Sequence, residues 1–71
     1  MMKYTNVYPW DVLDKIEEGK RVNMLDKENL VVIEVNNMSV WNALKWISMA
    51  KEDHCRFEFW YVEEQEEQVN D

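Results

Sequence analysis

The chain has 71 residues, of which 46% are hydrophobic and 32% charged, a composition that indicates one small folded domain rather than a disordered segment. The single cysteine excludes an intrachain disulfide and favours a reducing cytoplasm. No run of roughly 18 apolar residues is present, which favours a soluble protein without membrane contact. The net charge of −7 disfavours direct nucleic-acid binding and favours attraction to a basic partner.

The negative charge is concentrated near the C-terminus. Residues 1–51 contain seven basic and seven acidic side chains, whereas residues 52–71 contain eight acidic side chains and a single basic one, Arg56. The sequence therefore predicts a neutral folded body that carries a strongly anionic end.

The first predicted element is a short helix within "YPWDVLDKIEEGKRV". Pro9 suits the first position of a helix, and Gly19, the only glycine, suits the left-handed residue that follows the last turn. Val12, Leu13 and Ile16 lie on one stripe of this helix, which we expect to face the core.

Two strands are predicted next, and together they form a hairpin. The segment "KRVNMLD" alternates through Val22 and Met24, as a half-buried strand does. Asp26–Asn29 has the composition of a turn, and the β-branched segment "LVVIEVNN" is typical of a second strand.

A second helix is predicted in "VWNALKWISMAKED", with Ser39 as its N-cap. Trp41 and Met49 fall outside its apolar stripe. The residues that we expect on that stripe are Val40, Ala43, Leu44, Ile47 and Ala50.

The last predicted strand runs from Arg56 to Val62, and the resulting element order is α-β-β-α-β. This order predicts an α+β fold in which a small antiparallel-type sheet carries two helices on one face. We expect residues 1–62 to form a single compact domain and residues 63–71 to form an acidic C-terminal tail.

The strands predicted in "LVVIEV" and "RFEFWYV" both carry apolar side chains on both of their faces, a pattern that is typical of strands covered on two sides. A chain this short has few elements with which to cover a second face, so another copy of the chain is a natural cover. The sequence thus predicts a homodimer with Val32, Trp60 and Val62 at its interface. In the alternative, one helix wraps around an edge of the sheet and these residues belong to the ordinary core.

No pattern of catalytic or metal-binding residues is present, so we expect a protein that is not an enzyme and has no cofactor. The dipeptide His54-Cys55 is the nearest approach to a nucleophile and its base, but the sequence holds no second histidine or cysteine with which to complete a triad or a metal site. The simpler interpretation is a histidine that faces solvent beside a small buried thiol.

The acidic end has two interpretations. Charge at a terminus keeps a small aromatic-rich domain in solution, and this is the plainer one. Alternatively, the carboxylates imitate the phosphates of DNA, since a strand places side chains of one face about 6.6 Å apart and could align them in a row. The residues that would imitate phosphates are Glu52, Asp53, Glu58, Glu63, Glu64, Glu66 and Glu67.

The Met1-Met2 pair and the opening "WDVLDKIEEGKRVNMLDKE", within Tyr8–Glu28, resemble small accessory proteins of bacteriophages. The acidic members of that group include DNA mimics made during host takeover, some of which bind the DNA-binding surface of the nucleoid protein HU. The resemblance implies an inhibitor in the host cytoplasm that blocks a basic host DNA-binding protein, with HU as the specific expectation.

A rival prediction belongs to a different class of function. Here the chain is a hydrophobic interaction module that inhibits a host enzyme, such as RNA polymerase or a defence nuclease. Its contacts would be Trp10, Trp41 and Met49, because aromatic side chains outside the core dominate the binding energy of protein interfaces.

Overall fold

The computed structural model describes residues 2–64 of the chain. Its regular elements are four strands and two α-helices, with two short 3₁₀ turns at Pro9–Asp11 and Val35–Asn37. The strands are β1 (Met2–Val7), β2 (Val22–Asp26), β3 (Val31–Glu34) and β4 (Phe57–Glu64), and the helices are α1 (Val12–Glu17) and α2 (Val40–Glu52).

The strands form one antiparallel sheet in the order β1-β4-β2-β3. The predicted α+β class is confirmed, but the predicted order lacks β1, so the true order is β-α-β-β-α-β. β1 pairs with β4 along its whole length, from Met2 opposite Glu64 to Val7 opposite Phe59. It escaped prediction because it is an edge strand in which only Val7 is buried, so its apolar pattern is weak.

The first helical segment begins at Pro9 as predicted, but its α-helical part begins only at Val12. Pro9 opens a 3₁₀ turn that continues directly into α1, and Gly19 has a φ of +89°, the left-handed conformation that glycine adopts at little cost. The predicted stripe is only partly buried, since Val12 lies in the core, Ile16 packs against it and Leu13 is exposed.

The turn between β2 and β3 is fixed by the buried carboxylate of Asp26, which is only 3% exposed. The Arg56 guanidinium donates two hydrogen bonds of 3.1 Å to its two oxygens, and the side-chain amide of Asn29 and the backbone N–H of Glu28 donate to it at 2.9 and 3.0 Å. Chiefly because of Arg56, the pKa of Asp26 lies well below its ordinary range. One carboxylate thus ties the β2–β3 turn to the start of β4.

Helix α2 carries the larger share of the core contacts from above the sheet. The Ser39 hydroxyl accepts a hydrogen bond of 3.2 Å from the backbone N–H of Asn42, which confirms the predicted cap. The predicted stripe is too wide, because Val40 and Leu44 are exposed. The buried residues from both helices and the sheet form a single core: Val7, Val12, Val22, Met24, Val35, Ala43, Ile47, Ala50, Phe57, Phe59 and Tyr61.

The folded body extends further toward the C-terminus than predicted. β4 continues to Glu64, two residues past the predicted domain boundary at Val62, because Lys3 and Met2 of the unpredicted β1 pair with Glu63 and Glu64. The remainder of the predicted acidic tail, including Glu66 and Glu67, lies outside the described residues.

Candidate interaction surfaces

The face of the sheet opposite the helices is not covered by any described part of the chain, and we call it the open face. In β4 the residues Phe57, Phe59 and Tyr61 point to the core, so Glu58, Trp60, Val62 and Glu64 point to the open face. The registers of the neighbouring strands add Tyr4 and Asn6 from β1, Asn23 and Leu25 from β2, and Val32 and Glu34 from β3.

Apolar side chains cross this open face as one diagonal, the apolar stripe, formed by Tyr4, Val62, Trp60, Leu25 and Val32. Tyr4 lies opposite Val62, and Leu25 lies opposite Val32. Trp60 lies opposite Asn23, so Leu25 is its diagonal neighbour on β2. The Trp60 ring is long enough to contact a diagonal neighbour of this kind. The stripe therefore touches all four strands.

The three residues predicted for a dimer interface, Val32, Trp60 and Val62, all lie on the apolar stripe. None belongs to the buried core, and Val32 is 58% exposed, so the interpretation of these residues as ordinary core does not fit. Sequence reasoning missed Tyr4 and Leu25. The alternation of Leu25 with Val22 and Met24 already placed it on the second face of β2, whereas Tyr4 could be placed only once β1 was known.

Two of the three acidic side chains of β4, Glu58 and Glu63, are paired with lysines, whereas Glu64 has no ion-pair partner among the described residues. Lys27 contacts Glu58 at 3.0 Å, and Lys20 contacts Glu63 and has its pKa raised by that contact. Both lysines come from the part of the chain that is neutral in sequence. Folding therefore interleaves charges that are segregated along the sequence.

The described carboxylates also do not form the row that phosphate mimicry suggests. Glu58 and Glu64 share the open face but are separated by Trp60 and Val62, which puts them about 20 Å apart along the strand. Glu63 points to the opposite side of the sheet. Glu52 and Asp53 are exposed at the C-terminal end of α2.

A second apolar surface lies on the outer side of α2, and we call it the α2 patch: Val40, Trp41 and Leu44. These residues are neighbours on the helix surface, and Trp41 is 83% exposed. Of the other contacts predicted for a hydrophobic interaction module, Trp10 is exposed and stacks on Tyr8, while Met49 packs against the core and so is not a free contact. The prediction that Met49 lies off the core-facing side of α2 is wrong, because that side is shifted toward Trp46 and Met49 and away from Val40 and Leu44.

His54 and Cys55 are both exposed, and the His54 ring contacts Trp10. The two residues lie in the turn before β4, and Cys55 is exposed, so the expectation of a buried thiol is wrong. Residues 2–64 contain no group of three or more histidine, cysteine, aspartate or glutamate side chains that could hold a metal ion. No helix within the same residues is long and apolar enough to span a bilayer.

Comparison of the chain with family models, curated proteins and solved structures finds no match. Any proposal about function must therefore rest on the surfaces described above.

Proposed function

We propose that this protein is a non-enzymatic binding protein that acts as a homodimer, in which the apolar stripe joins two copies and the α2 patch contacts a host protein. The observation that carries the proposal is the 83% exposure of Trp41 beside Val40 and Leu44. A contiguous apolar surface of this kind on a small domain is a typical interaction site, and tryptophan is the residue most enriched among binding hot spots.

Two features support the use of the stripe for self-association. The core face of the sheet already carries both helices, so the chain has no further described element with which to cover the open face. Polar residues border the stripe on the open face, namely Asn6, Glu34 and Glu58. An apolar centre with a polar rim is the usual arrangement of a protein interface.

The experiment that tests the α2 patch is capture of host proteins from a bacterial lysate, followed by measurement of the affinity for the purified partner. Trp41→Ala should weaken binding at least about 30-fold, since truncation of a hot spot costs about 2 kcal/mol or more. Leu30→Ala is the matched control, because Leu30 is equally exposed but lies in the β2–β3 turn. Equal effects of the two substitutions would refute the proposal.

DNA mimicry is a second candidate, favoured by the acidic excess of the chain. Glu52, Asp53 and Glu64 form no ion pair with any other described residue, so they are available to the lysines and arginines of a partner. In this proposal a phage-encoded dimer occupies the DNA-binding surface of a basic host protein such as HU in the host cytoplasm.

Ionic strength separates the two candidates. Mimicry predicts that the affinity for the partner falls steeply between 50 and 200 mM salt, as phosphate contacts do, whereas an aromatic hot spot is nearly indifferent to salt. For HU itself, competition with a labelled DNA duplex gives a direct readout, and the triple substitution Glu52→Gln, Asp53→Asn and Glu64→Gln should reduce it. Undiminished competition by that variant would count against mimicry by these carboxylates.

A further inference from the structure

A cavity of about 380 Å³ opens where β1 ends and β4 begins, away from the α2 patch. Its lining includes Asn6, Tyr8, His54 and Glu58, with Phe57 and Phe59 behind them. This volume falls in the range of cavities that hold small ligands or single large side chains.

One side of the cavity is an aromatic wall made by Tyr8 and His54, and both rings contact Trp10, which does not itself line the cavity. The Tyr8 and Trp10 rings are stacked, with centroids 5.0 Å apart and planes within 3° of parallel, and the His54 ring meets Trp10 edge-on at 5.9 Å. Mutual stacking fixes the orientation of Tyr8 and Trp10 although both are exposed. The wall therefore offers a preformed aromatic face to a flat group.

The charged group of the cavity is the carboxylate of Glu58, and no lysine or arginine lines the cavity. Glu58 is already contacted by Lys27 at 3.0 Å, but both side chains are about half exposed, and such surface pairs contribute only about 0–1 kcal/mol. Lys27 is therefore a weak internal competitor that a better cation can displace. With a net charge of −7, the chain favours a cationic ligand here over an anionic one.

We propose that this cavity binds the guanidinium group of an arginine side chain presented by a partner protein. A guanidinium is planar, stacks on aromatic rings and donates two parallel hydrogen bonds to one carboxylate, which matches an aromatic wall beside Glu58. The ammonium group of lysine meets only the charge requirement. The proposal rests on the proposed function only in that a protein supplies the arginine.

The probe for the test is Nα-acetyl-arginine amide, titrated into the uniformly ¹⁵N-labelled protein. Saturable chemical-shift changes are expected at the side-chain amide of Asn6 and the indole N–H of Trp10, at millimolar concentrations of the probe. Nα-acetyl-citrulline amide has the same shape without the charge and should give no saturable change. The lysine analogue should bind more weakly than arginine.

Substitutions on one strand separate the cavity from general attraction by negative charge. Glu58→Gln should weaken binding of the arginine probe about fivefold or more, whereas Glu64→Gln, on the same strand and face, should change it less than about twofold. Tyr8→Leu should also weaken binding, and its control is Tyr8→Phe, which keeps the aromatic ring and should bind the probe like the wild type. Lys27→Gln removes the internal competitor and should tighten binding.

The outcomes that overturn the proposal are specific. They are the absence of saturable shifts, equal shifts with citrulline, equal losses in Glu58→Gln and Glu64→Gln, or no gain in Lys27→Gln. Because the probe is used without any partner protein, its failure leaves the α2 patch and the Trp41 test untouched. Conversely, if Trp41→Ala did not weaken binding of the partner protein, the expected binding of the arginine probe would be unchanged.

Discussion

The two faces of β4 show how differently the fold treats alternate residues of one strand. Phe57, Phe59 and Tyr61 are almost completely buried under the helices, whereas Trp60 and Val62, one residue away in each case, are only half-buried on the open face. Trp60 and Val62 are apolar like the residues of the core face, so what differs for them is the cover. The core face therefore provides the stability of the fold, and we propose that the open face binds another molecule.

The described part of the chain covers only one face of the sheet. The 63 described residues form four strands and two α-helices, and both helices contribute to the same core. A domain of this size buries only about 60% of the surface that its unfolded chain exposes. No further described element is available to cover the second face, and in our proposal a second copy supplies that cover.

The largest expected effect comes from truncating the core face. Phe59→Ala should lower the free energy of unfolding by about 3–5 kcal/mol, because it leaves a cavity beneath the helices. Trp60→Ala, its neighbour on the open face, should cost markedly less in urea unfolding at a protein concentration low enough to keep the chain monomeric. Equal decreases in the free energy of unfolding for the two variants would show that the two faces contribute equally to stability.

Acid should weaken the polar end of the core face, where Asp26 lies opposite Phe57. The ordinary pKa of 3.8 is lowered on folding, so the ionised carboxylate stabilises the fold above about pH 4, and this stabilisation is lost as the pH falls toward the folded-state value. Urea midpoints of the wild type should therefore fall between pH 6 and pH 2. Asp26→Asn should have a lower urea midpoint than the wild type at pH 6, and its midpoint should fall less between pH 6 and pH 2. The control is Asp14→Asn at an exposed position, whose urea midpoints should match those of the wild type.

Charge on the open face should break self-association. Val32→Lys places an ammonium group on the apolar stripe, and its desolvation should raise the dimer dissociation constant at least about tenfold. Val31→Lys is the control, because Val31 is also exposed but points to the other side of β3. Analytical ultracentrifugation of both variants measures the difference, and dissociation by Val31→Lys alone would place the interface elsewhere.

The smallest expected effect concerns the ion pair between Lys27 and Glu58 at the rim of the open face. Lys27→Gln should change the free energy of unfolding by less than about 1 kcal/mol, since both side chains are about half exposed. Thermal unfolding at low and high salt gives the measurement. A larger loss, comparable to that of Phe59→Ala, would mean that the rim contributes to stability as the core does.

Local signals in the sequence were sufficient for most of the elements. Pro9 and Gly19 mark the ends of the first helical segment, Ser39 caps α2, and the alternation in β4 separates its two faces correctly. These features depend on residues close together in the chain, so they can be read without knowledge of the fold.

The features that escaped prediction depend on distant contacts. β1 becomes a strand because β4 pairs with it, and Glu63 and Glu64 join the folded body for the same reason. Lys20 and Lys27 neutralise carboxylates more than 30 residues away, which no local charge pattern reveals. The aromatic wall likewise brings Tyr8 and His54 together from distant parts of the chain, with Trp10 in contact with both rings.

The molar mass of the wild-type chain in solution tests the account most directly, measured by sedimentation equilibrium over a range of concentrations at moderate salt. If the open face is covered by a second copy, the mass is twice the 8.7 kDa of one chain at micromolar concentrations, and Val32→Lys returns it toward 8.7 kDa. A wild-type mass of 8.7 kDa even at several hundred micromolar would contradict the account.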